Sequence, residues 1–97
     1  MYEISSEIYE KAALKLCDEM DDNGYYSGVI NFTHGDAECR MVVSLIIYHK
    51  QVEMPEGRFV QIEDIVPVWW EFHTLIDGVE RINDFDFATF KEFVVHS

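Results

Sequence analysis

Glu71 and His73 stand two residues apart in the run VPVWWEFHTLIDG, Val66 to Gly78. On a β-strand that spacing puts both side chains on one face. A carboxylate beside an imidazole can form a pH-sensitive contact or half of an acid–base site. Trp69 shares their parity and would give such a site an aromatic wall. Trp70 has the opposite parity, with Val66, Val68, Phe72 and Ile76, and belongs with the core. The plainer reading of Glu71 and His73 is a solvated pair on a strand surface. It is preferred here, because no other histidine joins them by spacing.

The remaining reactive side chains form no recognisable set. His34, His49, His73 and His96 lack the separations of a metal site. Cys39 and His34 flank one turn, but strand pairing across that turn sets Cys39 opposite Phe32, which is packing rather than a nucleophile beside its base. The segment EMDDNGYYSGVI has Gly24 as its sixth residue, with Glu19, Asp21 and Asn23 at the odd positions of a calcium loop. Its twelfth residue is Ile30, where calcium requires a bidentate acid, so the stretch reads as an acidic helix end. The five glycines are isolated from one another and make no phosphate-binding loop. No catalytic residue, metal ligand or cofactor is assigned.

Charge narrows the partners. Nineteen acids against seven bases give a net charge of −12. Residues 1–24 carry −5, residues 25–60 carry −1 and residues 61–97 carry −6, so the acid sits in the two ends of the sequence. Direct binding to nucleic-acid phosphates or to an anionic membrane is disfavoured, because there is no basic stripe to release counterions. A basic protein partner is compatible with the charge. No stretch of eighteen apolar residues is present, and the first residues do not read as a signal peptide. Cys17 and Cys39 form no spaced motif and are read as reduced, which implies a cytoplasmic location. The 97 residues suit one domain, and 48% apolar content suits a packed core.

The elements that would position these residues follow from periodicity. Ser5 is an N-cap with Ile4 and Tyr9 at staple positions, and Ile8, Ala12, Leu16 and Met20 make an apolar stripe beside Ala13 and Cys17. This first helix is expected to stop at Gly24 in a left-handed conformation. A Gly35-Asp36 turn pairs His34 with Ala37, Phe32 with Cys39, Ile30 with Met41 and Gly28 with Val43, all on the helix-facing side. A three-residue Pro55-Glu56-Gly57 loop would pair Met54 with Arg58 and Val52 with Val60. Carried on unbroken, that register puts Trp70 on the outer face beside Val42 and Ile46. A one-residue bulge near Pro67 returns Trp70 to the helix side and is the expected arrangement, since the proline lacks a ladder donor. Asp77-Gly78 is a further hairpin turn, leading to a short strand at VERI. Asp86 caps a final helix, with Phe85 and Phe90 as its staple and Phe87, Phe90 and Val94 on one side beside Phe93.

The fold expected is therefore α+β: two layers, an antiparallel sheet of three to four strands, and both terminal helices on one face. The opposite face carries Val29, Val42, Ile46, Tyr25 and Tyr48 among polar residues, more apolar than a solvated face needs to be. The leading functional expectation is a non-enzymatic protein–protein interaction module, self-associating or binding another protein through Trp69, Glu71, His73, Tyr25, Tyr48, Val42 and Ile46. Two alternatives stand beside it. One is an acidic inhibitor or immunity-type protein that binds a basic enzyme or a nucleic-acid-binding protein. The other is a small-ligand binder or enzyme built around His73 and Glu71, which requires them to line a concavity beside Trp69.

Overall fold

In the computed structural model, which describes residues 1–20 and 23–96, the elements run α1 (Ser6–Glu19), β1 (Tyr25–His34), β2 (Ala37–Met54), β3 (Gly57–Ile76), β4 (Val79–Arg81) and α2 (Phe87–Val95). The four strands form one antiparallel meander in the order β1-β2-β3-β4. Both helices cover the same face, so the domain is an α+β two-layer structure with terminal helices. Among the described residues no helix is long and apolar enough to cross a membrane.

The helix ends follow their caps. The Ser5 hydroxyl accepts from the Ile8 amide at 3.4 Å, and the Asp86 carboxylate accepts from the Thr89 amide at 3.1 Å and the Thr89 hydroxyl at 2.7 Å. Those bonds hold the Asp86 carboxyl below the usual carboxylate range, the Thr89 side chain contributing most. α1 ends earlier than its sequence suggests. Met20 caps it, its backbone N–H donating a hydrogen bond to the Leu16 carbonyl at 2.9 Å, and Gly24 does not adopt the left-handed conformation. Asp21 and Asp22, which the acidic helix-end reading includes, lie outside the described residues; Ile30, in the same stretch, is buried in the core.

α1 buries Ile8, Tyr9, Ala12, Ala13 and Leu16, and the two alanines let its backbone approach its neighbours. α2 buries Phe87, Phe90 and Val94. Phe85 proves to be more than a staple. Its ring stacks on Phe72 with centroids 4.2 Å apart and also meets Tyr9, Trp70 and Phe90. One ring thus ties β3 to both helices, and burying a side chain of that size contributes about 2 kcal/mol. Cys39 is buried opposite Phe32, and burial pushes its thiol pKa up, as expected of a packing residue.

The β1–β2 register is the one the Gly35-Asp36 turn dictates. The β2–β3 register is reached differently. The turn is two residues long, Pro55-Glu56, so Met54 pairs with Gly57 and Glu53 with Arg58. Two steps then follow. Glu63 is left over between Ile62, opposite His49, and Asp64, opposite Tyr48; Val68 is left over between Pro67, opposite Leu45, and Trp69, opposite Ser44. The first step compensates for the shorter turn. The second is the bulge expected beside Pro67, and it sets Trp70 opposite Val43 on the helix side. Because parity reverses at Val68, Ile65 becomes the core residue of that stretch, while Val66 and Val68 turn to solvent at 37% and 60% exposure.

These steps also bend the sheet. Twenty extended residues in β3 would span roughly 65 Å, but the molecule's longest extent is 49 Å. The helices cover the sheet only as far as Ile47 and Ile65, with Ile62 packed at the margin. Beyond that the β2–β3 hairpin projects as a two-stranded arm. The radius of gyration, 14.6 Å, accordingly exceeds the roughly 12.5 Å of a compact chain of this length.

Candidate functional site

The seven residues singled out in the sequence share one surface, the sheet face away from the helices. Their arrangement follows from the register. Tyr25 pairs with Ile46 and Ile46 with Val66, making an apolar row across three strands. The next row is Ser27, Ser44 and Trp69, and the one after it Val29, Val42 and Glu71. Asn31, Arg40 and His73 follow, while Tyr48 lies on the other side of Ile46 along β2. Exposure is 54% for Tyr25, 44% for Val29, 38% for Ile46, 51% for Tyr48 and 59% for Trp69; Val42 is half-buried among them. No helix of the described chain covers these side chains.

The polar atoms in this surface are largely satisfied within it. Ser27 and Ser44 share a hydroxyl–hydroxyl bond of 2.9 Å in the floor beside Trp69. The Trp69 indole N–H donates to Glu71 Oε2 at 2.8 Å. Glu71 Oε1 meets His73 Nε2 at 2.8 Å, and His73 Nδ1 meets Glu80 Oε1 at 2.6 Å. Glu80 enters from β4, where the Asp77-Gly78 turn pairs it with Leu75. Asp77 and Gly78 both have positive φ, the requirement of a tight two-residue hairpin turn. That turn, followed through in register, is the signal that would have added Glu80 to the set.

The order Trp69, Glu71, His73, Glu80 fixes the electrostatics. Each imidazole nitrogen faces a carboxylate oxygen, which favours the doubly protonated ring. The bond to Glu71, then that to Glu80, raises the His73 pKa above its ordinary value. The bond from His73, then that from Trp69, lowers that of Glu71. The result is a small ion-paired border along one side of the apolar rows, with Arg40 paired opposite His73.

This geometry does not suit acid–base catalysis. Both Glu71 oxygens and both His73 nitrogens are occupied by neighbours in the chain, so none is presented to a substrate. The depression nearest His73 is also lined by Glu80 and Asn83 and runs round the β3 edge towards Phe85, and neither Glu71 nor Trp69 borders it. That depression is therefore not the concavity beside Trp69 that a ligand site would need. Among the described residues no group of three or more His, Cys, Asp or Glu side chains is placed to hold a metal ion. Comparison with protein-family models, with curated proteins and with solved structures finds no match to the chain.

Proposed function

We propose that this chain is a protein–protein interaction module whose docking surface is the outer face of the sheet. The observation that carries the reading is the continuity of Tyr25, Ile46, Val66, Tyr48, Trp69, Val29 and Val42 on a face that no element of the described chain covers. Aromatic residues at the centre with a polar margin are the composition of an interface core and rim. Trp69 is the natural anchor. Its one polar atom is already bonded to Glu71, so docking against its ring strands no donor.

The charged margin matters less to affinity than to orientation, because Glu71, Glu80, His73 and Arg40 offset one another locally. Binding through this face should therefore change little with salt. An acidic protein that captures a basic enzyme would instead release it steeply as salt rises. The test is capture from the native cell with wild-type and Trp69→Ala chains in parallel, at low and high salt. Loss of the same partner with Trp69→Ala, and retention at high salt, supports the reading. A partner held equally by both chains excludes it.

A further inference from the structure

The two edges of the sheet differ in a way that assigns one of them a partner. The His34–Ala37 pair closes a two-residue turn and is hydrogen-bonded, so by alternation Phe32, Ile30, Gly28 and Tyr26 also bond to β2. The backbone groups of Tyr25, Ser27, Val29, Asn31 and Thr33 then project from the open edge. The Thr33 carbonyl, which accepts from the Lys11 ammonium at 3.3 Å, lies on that side. Among the described residues no other bond to these backbone groups is made within the chain. β1 is ten residues long and contains no Lys, Arg, Asp, Glu or Pro. Such an edge is a template for another strand.

The opposite edge is closed over the part of β3 that the helices cover. β4 pairs with β3 from Thr74 to Ile76, and Asn83 donates to the Phe72 carbonyl at 2.9 Å. Further along, Pro67 has no amide to offer, and the Ile65 amide is taken by the Asp64 carboxylate at 2.9 Å. β3 is protected along this stretch, whereas the described part of β1 has only the Lys11 contact at Thr33, a difference that points to a use for the β1 edge.

We infer that β1 pairs antiparallel with β1 of a second copy of this chain, centred on Val29, and so joins two meanders into one eight-stranded sheet. Three features favour a second copy over a foreign strand. The strand is self-complementary: the two-fold register sets Tyr25 against Thr33, Ser27 against Asn31 and Val29 against itself, with no like charges opposed. β1 itself carries no acidic side chain, so pairing the two strands opposes no carboxylates.

The third feature is α1. It runs antiparallel to β1, with Lys11 at Thr33 and Glu19 acting on Tyr26. Its Lys11, Leu14, Lys15 and Asp18 border a depression that reaches Asn31 and Thr33 at the β1 edge and continues to Glu38, Arg40 and Leu75 on β2 and β3. Leu14 is 54% exposed there, although it sits on a helix. A two-fold axis through Val29 brings the lysine end of one α1 towards the Asp18–Glu19 end of the other and gives each Leu14 an apolar neighbour. The pairing does not depend on the outer-face reading, but it would set the two outer faces side by side as one surface.

Sedimentation velocity from low to high micromolar concentration, with amide hydrogen exchange under the same conditions, tests this. The wild type should dimerise, and the Ser27, Val29 and Asn31 amides should gain protection as it does. Asn31→Pro removes an outward amide without touching the β2 ladder, and should weaken association more than about tenfold by closing the edge. Trp69→Ala should leave the dimer intact even where it abolishes capture of another protein. A chain that stays monomeric, or a dimer whose β1 amides still exchange freely, overturns the inference. So does a folded Asn31→Pro chain that dimerises as the wild type does. Should that variant fail to fold, the wild-type exchange decides alone.

Discussion

The adjacent tryptophans give a direct measure of the register at Val68. Trp70 lies opposite Val43 and packs on Phe85 and Phe87 with centroids 5.4 and 5.8 Å away, while Trp69 is 59% exposed with one surface hydrogen bond. Truncating Trp70 to alanine removes two aromatic contacts and opens a cavity at the α2–sheet junction. A half-buried tryptophan in that setting should cost about 3 kcal/mol. Truncating Trp69 removes an exposed ring and one solvated bond, and should cost less than about 1 kcal/mol. With a urea slope of roughly 1–1.5 kcal/mol/M for a chain of this size, Trp70→Ala lowers the unfolding midpoint by about 2–3 M and Trp69→Ala by less than about 1 M. Urea titration followed by far-ultraviolet circular dichroism measures both. Equal midpoints, or the larger fall for Trp69→Ala, would refute the bulge at Val68 and with it the exposure of the proposed anchor.

The ion-paired margin makes a prediction in pH. His73 has a raised pKa, so its stabilisation is complete below its ordinary value of about 6.5 and fades as pH rises through the raised one. Glu71 has a lowered pKa, so its stabilisation is complete above about 4.3 and fades as pH falls through the lowered one. His73→Asn should therefore lose most relative to wild type between roughly pH 4.5 and 6.5 and least in alkaline solution; a loss independent of pH in paired urea titrations argues against the arrangement. Asn83 continues the β3 edge by side chain, donating to the Phe72 carbonyl at 2.9 Å and accepting from the Phe85 amide at 3.0 Å. Asn83→Ala should cost about 2–3 kcal/mol and speed exchange of the Phe85 amide, and a change under about 0.5 kcal/mol would show those bonds to be dispensable.

Much of the fold is legible in the residues because local signals agree. Ser5 and Asp86 cap the helices they precede, and the Gly35-Asp36 turn and the apolar alternation give a single β1–β2 register. The β2–β3 register is harder because its two ends are fixed by different devices. Pro55 and Gly57 fit a two- or a three-residue turn, and nothing about Glu63 distinguishes a bulged residue from a paired one. The step at Val68 is readable through Pro67, whose missing donor tolerates only an edge or an irregularity. Tyr25, Val42, Ile46 and Tyr48 are legible from parity and the β1–β2 turn, whereas Trp69, Glu71 and His73 also need the bulge at Val68; the structure sets all seven on one surface. Glu80 is legible only when the Asp77-Gly78 turn is followed through in register, and Asn83 is not, since it lies beyond the three-residue β4 and acts by its side chain.

The meander order has a kinetic consequence. Each strand pairs with its sequence neighbour, so every ladder can zip outward from its own turn with only a short loop to close. Among the described residues the most distant closures join the two ends of the sequence: α1 against α2, the bridge of Tyr2 with Asn83, the Asp86 amide on the Tyr9 hydroxyl, and the Ile4 amide on the Asp84 carboxylate, eighty positions away. Closing such a loop in a disordered chain would cost roughly 4 kcal/mol, and prior formation of the sheet removes most of that. Docking of the helices is then the late event of folding. Substitutions at the Ile4–Asp84 contact should mainly accelerate unfolding, whereas those at the Gly35-Asp36 turn should slow folding itself.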